Sequence, residues 1–161
     1  MPVKKLTPKD DTQRYVDGQM ERLLQAVVYN LQHIGEQCVN HARSLPSPPA
    51  ELRGTPHAPH YIDDSGNLRA SIGYVVAVDG KVVQTDGFKG AQNGASEGAT
   101  YASDLVRREF PHGIVLILVA GMRYAAYLSA RGYDVIDSAE LLADRLVPQL
   151  LSQLGFKLSH Q

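Results

Sequence analysis

Three observations predict an α+β fold, a mainly antiparallel sheet of about four strands with a long N-terminal helix and a C-terminal helix packed on it. An amphipathic pattern runs from residue 10 to 45, an Asp-Gly pair separates two β-prone runs at 74–85, and an unbroken apolar run occupies Ile114 to Ala120. Strands and helices mix without regular βαβ repetition, and no internal repeat is present. At 161 residues, 43% hydrophobic and 20% charged, the chain reads as a single domain, 1–161, with enough apolar content to build a core. Its expected parts are a flexible N-terminus (1–9), a long helix (10–45), an extended Pro-rich loop (46–65) and an α+β body (66–155).

The first helix opens with Thr7, Pro8 and the acidic pair Asp10 and Asp11, which suit the positive end of a helix dipole. Apolar residues then recur at steps of three and four: Val16, Met20, Leu23, Leu24, Val27, Leu31, Ile34, Cys38, Ala42 and Leu45. Pro46, Pro48 and Pro49 end the run. A helix of about 35 residues is a rod of about 50 Å, longer than this domain's own core requires. Part of its stripe is therefore expected to pack against another subunit. Five prolines with no apolar period make 46–65 an extended loop. Asp64 or Ser65 is placed to cap a short helical turn from Asn67 to Ile72. Runs at 74–78 and 81–85 flank Asp79-Gly80, a two-residue hairpin signal because both central positions need positive φ. The glycine-rich stretch 86–98 reads as a mobile, exposed connection. A second helix is expected from Ser96 to Phe110, and Ile114–Ala120, apolar on both faces, as a central strand. Met122–Ala130 has helical spacing with Gly132 as its breaker, Tyr133–Ile136 reads as a short strand, and Ser138 caps a last helix that Pro148 kinks or splits.

Composition narrows the chemistry. Lys and Arg total 16 against 17 Asp and Glu, so no overall field favours nucleic acid. The single cysteine, Cys38, precludes an internal disulfide framework and sits in the apolar stripe as a buried small hydrophobe. The longest apolar run is far short of the roughly 20 residues that span a bilayer, and no apolar core follows the basic N-terminus, so a cytoplasmic, non-membrane protein is expected. His57 and His60 with Asp63 and Asp64 are the best metal candidates, but Pro56 and Pro59 hold that loop extended, and no second cluster completes a ligand set. Gly87, Gly90, Gly94 and Gly98 match neither phosphate-binding nor dinucleotide spacing, and flexibility is the better reading. No Gly-x-Ser-x-Gly elbow is present. No catalytic residue, metal site or cofactor is assigned. Tyr124, Tyr127 and Tyr133 lack interleaved lysines and suit a core or subunit interface better than base stacking, and Phe88 joins them as an interface candidate.

The order of these features resembles the tail-completion or neck-protein family of long-tailed double-stranded-DNA bacteriophages and their prophages. The resemblance is carried by Gly66-Asn67-Leu68-Arg69 with Ser71 and Ile72, the hairpin 74–85, Val119-Ala120-Gly121-Met122, and Tyr124-Ala125-Ala126-Tyr127 followed by Gly132. It covers about residues 10–155. Where many members carry an acidic residue after Tyr-Ala-x-Tyr, this chain has Leu128-Ser129, and its stretch 86–113 is longer than in the simplest members. The resemblance implies a non-enzymatic virion protein, assembled in the host bacterial cytoplasm. Copies of it form a ring at the head–tail junction between neck proteins and the tail tube, and DNA passes through the lumen without sequence-specific binding. Two alternatives remain: a neck adaptor or stopper, and a small metal- or ligand-binding enzyme domain using the 57–64 loop.

Overall fold

A computed structural model describes residues 9–48, 50–53, 55 and 61–156. Thr7, Pro8, His57 and His60 lie outside the described residues. Helix α1 (Lys9–Arg43) has Asp10 and Asp11 in its first turn and His41 and Arg43 in its last, charges that oppose the helix dipole at each end. A 3-10 turn (Ala50–Leu52) and the short helix α2 (Asn67–Ala70) lead into β1 (Ile72–Val78) and β2 (Lys81–Gly87). Helix α3 (Gln92–Glu109), strand β3 (Ile114–Ala120), α4 (Ala125–Ala130) and α5 (Asp137–Gln153) complete the order.

The sheet is antiparallel with order β2-β1-β3. The hairpin turns at Asp79 (φ 49°) and Gly80 (φ 78°), the paired positive angles that the Asp-Gly signal implies. Asp79 also bonds Gly113 twice, its backbone N–H donating to the Gly113 carbonyl and its carboxylate accepting from the Gly113 N–H, both at 2.9 Å. This clamp fixes where β3 begins. Alternate β1 side chains face opposite layers. Ile72, Tyr74 and Val76 meet the α1 stripe of Val27, Leu31, Ile34 and Cys38, while Val75 and Ala77 meet Ala102 and Val106 of α3. A third cluster joins Tyr61, Leu68, Ala125 and Val135 at the end of the sheet. Cys38 is fully buried, and burial pushes its thiol pKa up, which keeps it protonated and inert.

Several expectations are corrected. Among the described residues the sheet has three strands, because residues 133–136 turn into α5 instead of pairing. The Asp137 carboxylate accepts from the Val135 N–H, a donor that a strand would present to a neighbour, and the Asp134 carboxylate accepts from the Ser138 N–H in the first turn of α5. The N-cap of α5 is Ile136, which makes no side-chain cap bond; Asp134 and not Ser138 supplies the acceptor there, and the Ser138 hydroxyl bonds the His41 ring instead (2.8 Å). Pro148 lies inside α5 without splitting it. Strand β3 is an edge strand, since β1 takes the centre. Helix α2 stops at Ala70, and Asp63 provides its start: the Leu68 and Arg69 N–H groups donate to its carboxylate at 3.2 and 2.9 Å, and Ser65 takes only the Asn67 N–H. Helix α4 begins at Ala125, after a turn through Met122.

The largest correction concerns 86–98. This stretch is no mobile loop: α3 starts at Gln92, and Gly94 and Gly98 are buried helical residues. A Cβ on Gly94 would lie 2.1 Å from the Asn67 carbonyl oxygen, and one on Gly98 2.5 Å from that of Ser71. These glycines let a helix touch backbone.

Candidate assembly surface

Strand β3 is one of the two edges of the sheet. Gly113 and Gly121, which flank it, both bond towards β1, through the Asp79 N–H and the Ser71 carbonyl. Backbone groups alternate sides along a strand, so those of Ile114, Leu116, Leu118 and Ala120 point along the open edge. Exposed edges are usually guarded by charge or by a bulge. The opposite edge, β2, carries Lys81 and Asp86 and a register shift opposite Val76/Ala77. Lys89 bonds the Asp86 carboxylate (2.6 Å) and, with the Gly87 N–H, holds its pKa below the usual carboxylate value. Between Ile114 and Ala120 β3 carries no polar side chain at all.

Beside that edge lies a groove of about 690 Å³. Helix α5 packs on α1 and stands off β3, and Val27 and Leu31 of α1 also line the groove. Phe110 and Phe156 line it as well. Only Glu140 and Asp144 are ionisable among the lining residues. Such a slot offers burial to an apolar segment, with two carboxylates as its ionisable groups.

The third open surface is the start of α1. Every side chain from Asp10 to Arg22 is exposed, so about 20 Å of helix projects beyond the body. Val16 and Met20, exposed to 46% and 61%, continue the stripe that is buried further along.

The residues of the Gly66–Ile72 and Gly121–Met122 motifs form one structural junction. Gly66 holds φ 73° before α2, Leu68, Ser71 and Ile72 are buried, and the Asn67 side-chain carbonyl accepts the Gly94 N–H (3.2 Å). Arg69 reaches back to the Leu45 carbonyl and lies over the Tyr61 ring at 5.7 Å. Gly121 donates to the Ser71 carbonyl, and a Cβ there would sit 2.3 Å from the Gly98 Cα. Met122 packs in the third cluster with buried Ala125, and Gly132 (φ 86°) ends α4. The tyrosines divide. Tyr127 is 59% exposed and its hydroxyl accepts from Arg131 (2.6 Å). Tyr124 is partly exposed, its pKa raised by desolvation and then by the nearby Asp63 charge. Tyr133 is half-buried against the third cluster, and Phe88 turns its ring inward towards Gly73 and Gly98.

Gly94 and Gly98 were missed as packing residues. The signal was their i, i+4 spacing, which puts both on one helix face. Of the metal candidates, Asp63 is engaged by α2, and no group of three or more potential ligands occurs among the described residues. Among the described residues no helix is long and apolar enough to cross a membrane. No family model, curated protein or solved structure matches this chain.

Proposed function

We propose that this chain is a non-enzymatic structural subunit of a phage head–tail junction, assembling with copies of itself into a neck or tail-completion ring through which DNA passes. One observation carries the reading: an uncharged seven-residue edge strand, an apolar groove and a projecting apolar helix face all lie open on one chain. Contiguous open apolar surface is the usual mark of an association site. The order of the motifs at 66–72, 74–85, 119–122 and 124–132 supports placing that association in the neck of a long-tailed particle. Tyr124 and Tyr127, both exposed, are proposed contacts with neighbouring neck or tail-tube proteins. The near balance of 16 basic and 17 acidic residues suits a lumen along which DNA slides without being held.

Negative-stain images of the purified chain, alone and mixed with the neck and tail-tube proteins of its own particle, test the proposal. Annular particles with a central hole are expected in at least one mixture. Isolated globules in all of them contradict it.

A further inference from the structure

We propose that the polar cleft between the last turns of α1 and the open end of the β1–β2 hairpin binds a small zwitterion of dipeptide length, its ammonium at Glu36 and Tyr74 and its carboxylate at Arg43. The cleft has a volume of about 420 Å³, and Glu36, Asn40 and Arg43 of α1, Tyr74 of β1, Asp86 of β2, and Lys89 are among its lining residues. It shares no lining residue with the apolar groove beside β3 and is independent of the ring reading.

Two destabilising features meet at Tyr74. The side chain is fully buried, yet its hydroxyl has no bonded partner. A Cβ on Gly35 would lie 2.5 Å from Tyr74 Cδ2, so α1 carries a glycine in its interior to seat that ring. Tyr74→Phe would fill the same space without stranding a polar atom, which makes the hydroxyl itself the feature to explain. A polar atom held unpaired at the floor of a polar cleft is placed to be completed by a ligand.

The lining fixes the ligand's charges. Glu36, Asn40 and Arg43 stand at i, i+4 and i+7 on one face of α1, so the wall runs from negative through a neutral amide to positive over about 10 Å of helix. Besides desolvation, the Glu36 and Asp86 charges push the Tyr74 pKa up, so the field at the hydroxyl suits a cation. Asp86, the cross-strand partner of Tyr74, is engaged by Lys89 at 2.6 Å, which leaves Glu36 for the ammonium. The Glu36 carboxylate accepts from Gln32 (3.1 Å) and faces His33 (3.6 Å), and it retains lone pairs for a further donor. Arg43 gives one Nη2 bond to the Lys89 carbonyl (2.6 Å) and keeps the rest of its fork for a carboxylate. Two extended residues span about 7 Å, which together with the two side chains covers the interval from Glu36 to Arg43 and sets a peptide group opposite Asn40. The Glu36 and Lys89 side chains, exposed to 36% and 69%, are the ones that move to admit the ammonium to the buried hydroxyl.

Saturation-transfer NMR titrations of the full-length chain with glycylglycine, N-acetylglycylglycine and glycylglycinamide test the site. Glycylglycine is expected to bind about tenfold or more tightly than either blocked form, since each lacks one of the two charges. Glu36→Gln and Arg43→Gln are each expected to weaken glycylglycine by about tenfold or more. Tyr74→Phe is expected to weaken it about fivefold while leaving the protein at least as stable, opposite signs that a purely structural role does not produce. Equal binding of blocked and unblocked forms, glycylglycine binding unchanged by both Tyr74→Phe and Glu36→Gln, or no binding of any probe at millimolar concentration overturns the assignment.

Discussion

Replacing Gly98 by Ala and Gly18 by Ala makes the same chemical change in two helices, with opposite expected signs. In α1, a Cβ on Gly18 meets nothing within 4 Å. The substitution there brings only the propensity gain, up to about 1 kcal/mol, and less if the projecting turns fray apart from the body. In α3, a Cβ on Gly98 would lie 2.5 Å from the Ser71 carbonyl oxygen, 2.7 Å from Phe88 Cδ1 and 2.9 Å from Ser71 Cα. Phe88 can rotate. The Ser71 backbone cannot move freely, since its carbonyl holds the Gly121 N–H and its neighbour Ile72 pairs with Ala120. Overpacking of this kind costs about 1–3 kcal/mol or more, and a backbone obstacle places it at the upper end. After subtracting the propensity gain, Gly98→Ala is expected to destabilise by roughly 2–3 kcal/mol, lowering the melting temperature by roughly 5–10 °C in a chain of this size. Urea and thermal unfolding followed by far-UV circular dichroism measure both variants. A Gly98→Ala protein as stable as the wild type refutes the close approach of α3 to the β1 and β3 backbones.

Other perturbations follow the same logic. Tyr74 is fully buried, its hydroxyl finds no bonded partner although Glu36 and Gln84 lie near, and desolvation followed by the Glu36 charge pushes its pKa up to about 12. Tyr74→Phe is therefore expected to stabilise by about 1 kcal/mol at neutral pH. The phenol's folded pKa lies above its unfolded value near 10, so its contribution is intact below pH 10 and lost as pH rises towards 12. Wild-type stability should thus fall by up to about 1.4 kcal/mol per pH unit between pH 10 and 12, more steeply than Tyr74→Phe; parallel curves reject the assignment. Asp63→Ala removes both acceptors at the start of α2 and should cost about 1–2 kcal/mol in urea unfolding, against no change if the loop before α2 re-forms its bonds elsewhere. Ile114→Lys, at a partly exposed edge position, should change monomer stability by no more than about 0.5 kcal/mol while lowering the native mass of the assembly; an unchanged native mass argues against a role for this edge.

Elements governed by local pattern were legible in the chain. The stripe of α1 and the Asp79-Gly80 hairpin follow from side-chain period and turn chemistry, which neighbouring residues determine, whereas the period of Ile114–Ala120 alone allows a buried helix as well as the strand. The position of β3 was not legible. Apolar residues on both its faces report that layers lie above and below, whereas an edge is set by which strands pair, and no local pattern records that. Residues 133–136 show a second limit: Val135 and Ile136 are β-formers, but the Asp137 carboxylate takes the Val135 N–H and the Asp134 carboxylate the Ser138 N–H, which turns the segment into α5. Gly94 and Gly98 show a third, because a missing Cβ serves flexibility or close approach equally well, and only the packed partner decides between them. The junction of 66–72 with 121–122 was visible as two motifs, but their meeting through Ser71 and Gly121 needed the fold.

Native mass spectrometry of the wild-type chain over a dilution series, with and without its neck and tail-tube partners, bears most directly on whether the open edge, groove and helix face exist to be covered. One discrete oligomer larger than a dimer is expected, dissociating to monomer on dilution or retained when partners are added. A monomer at every concentration, unchanged by those partners, contradicts it.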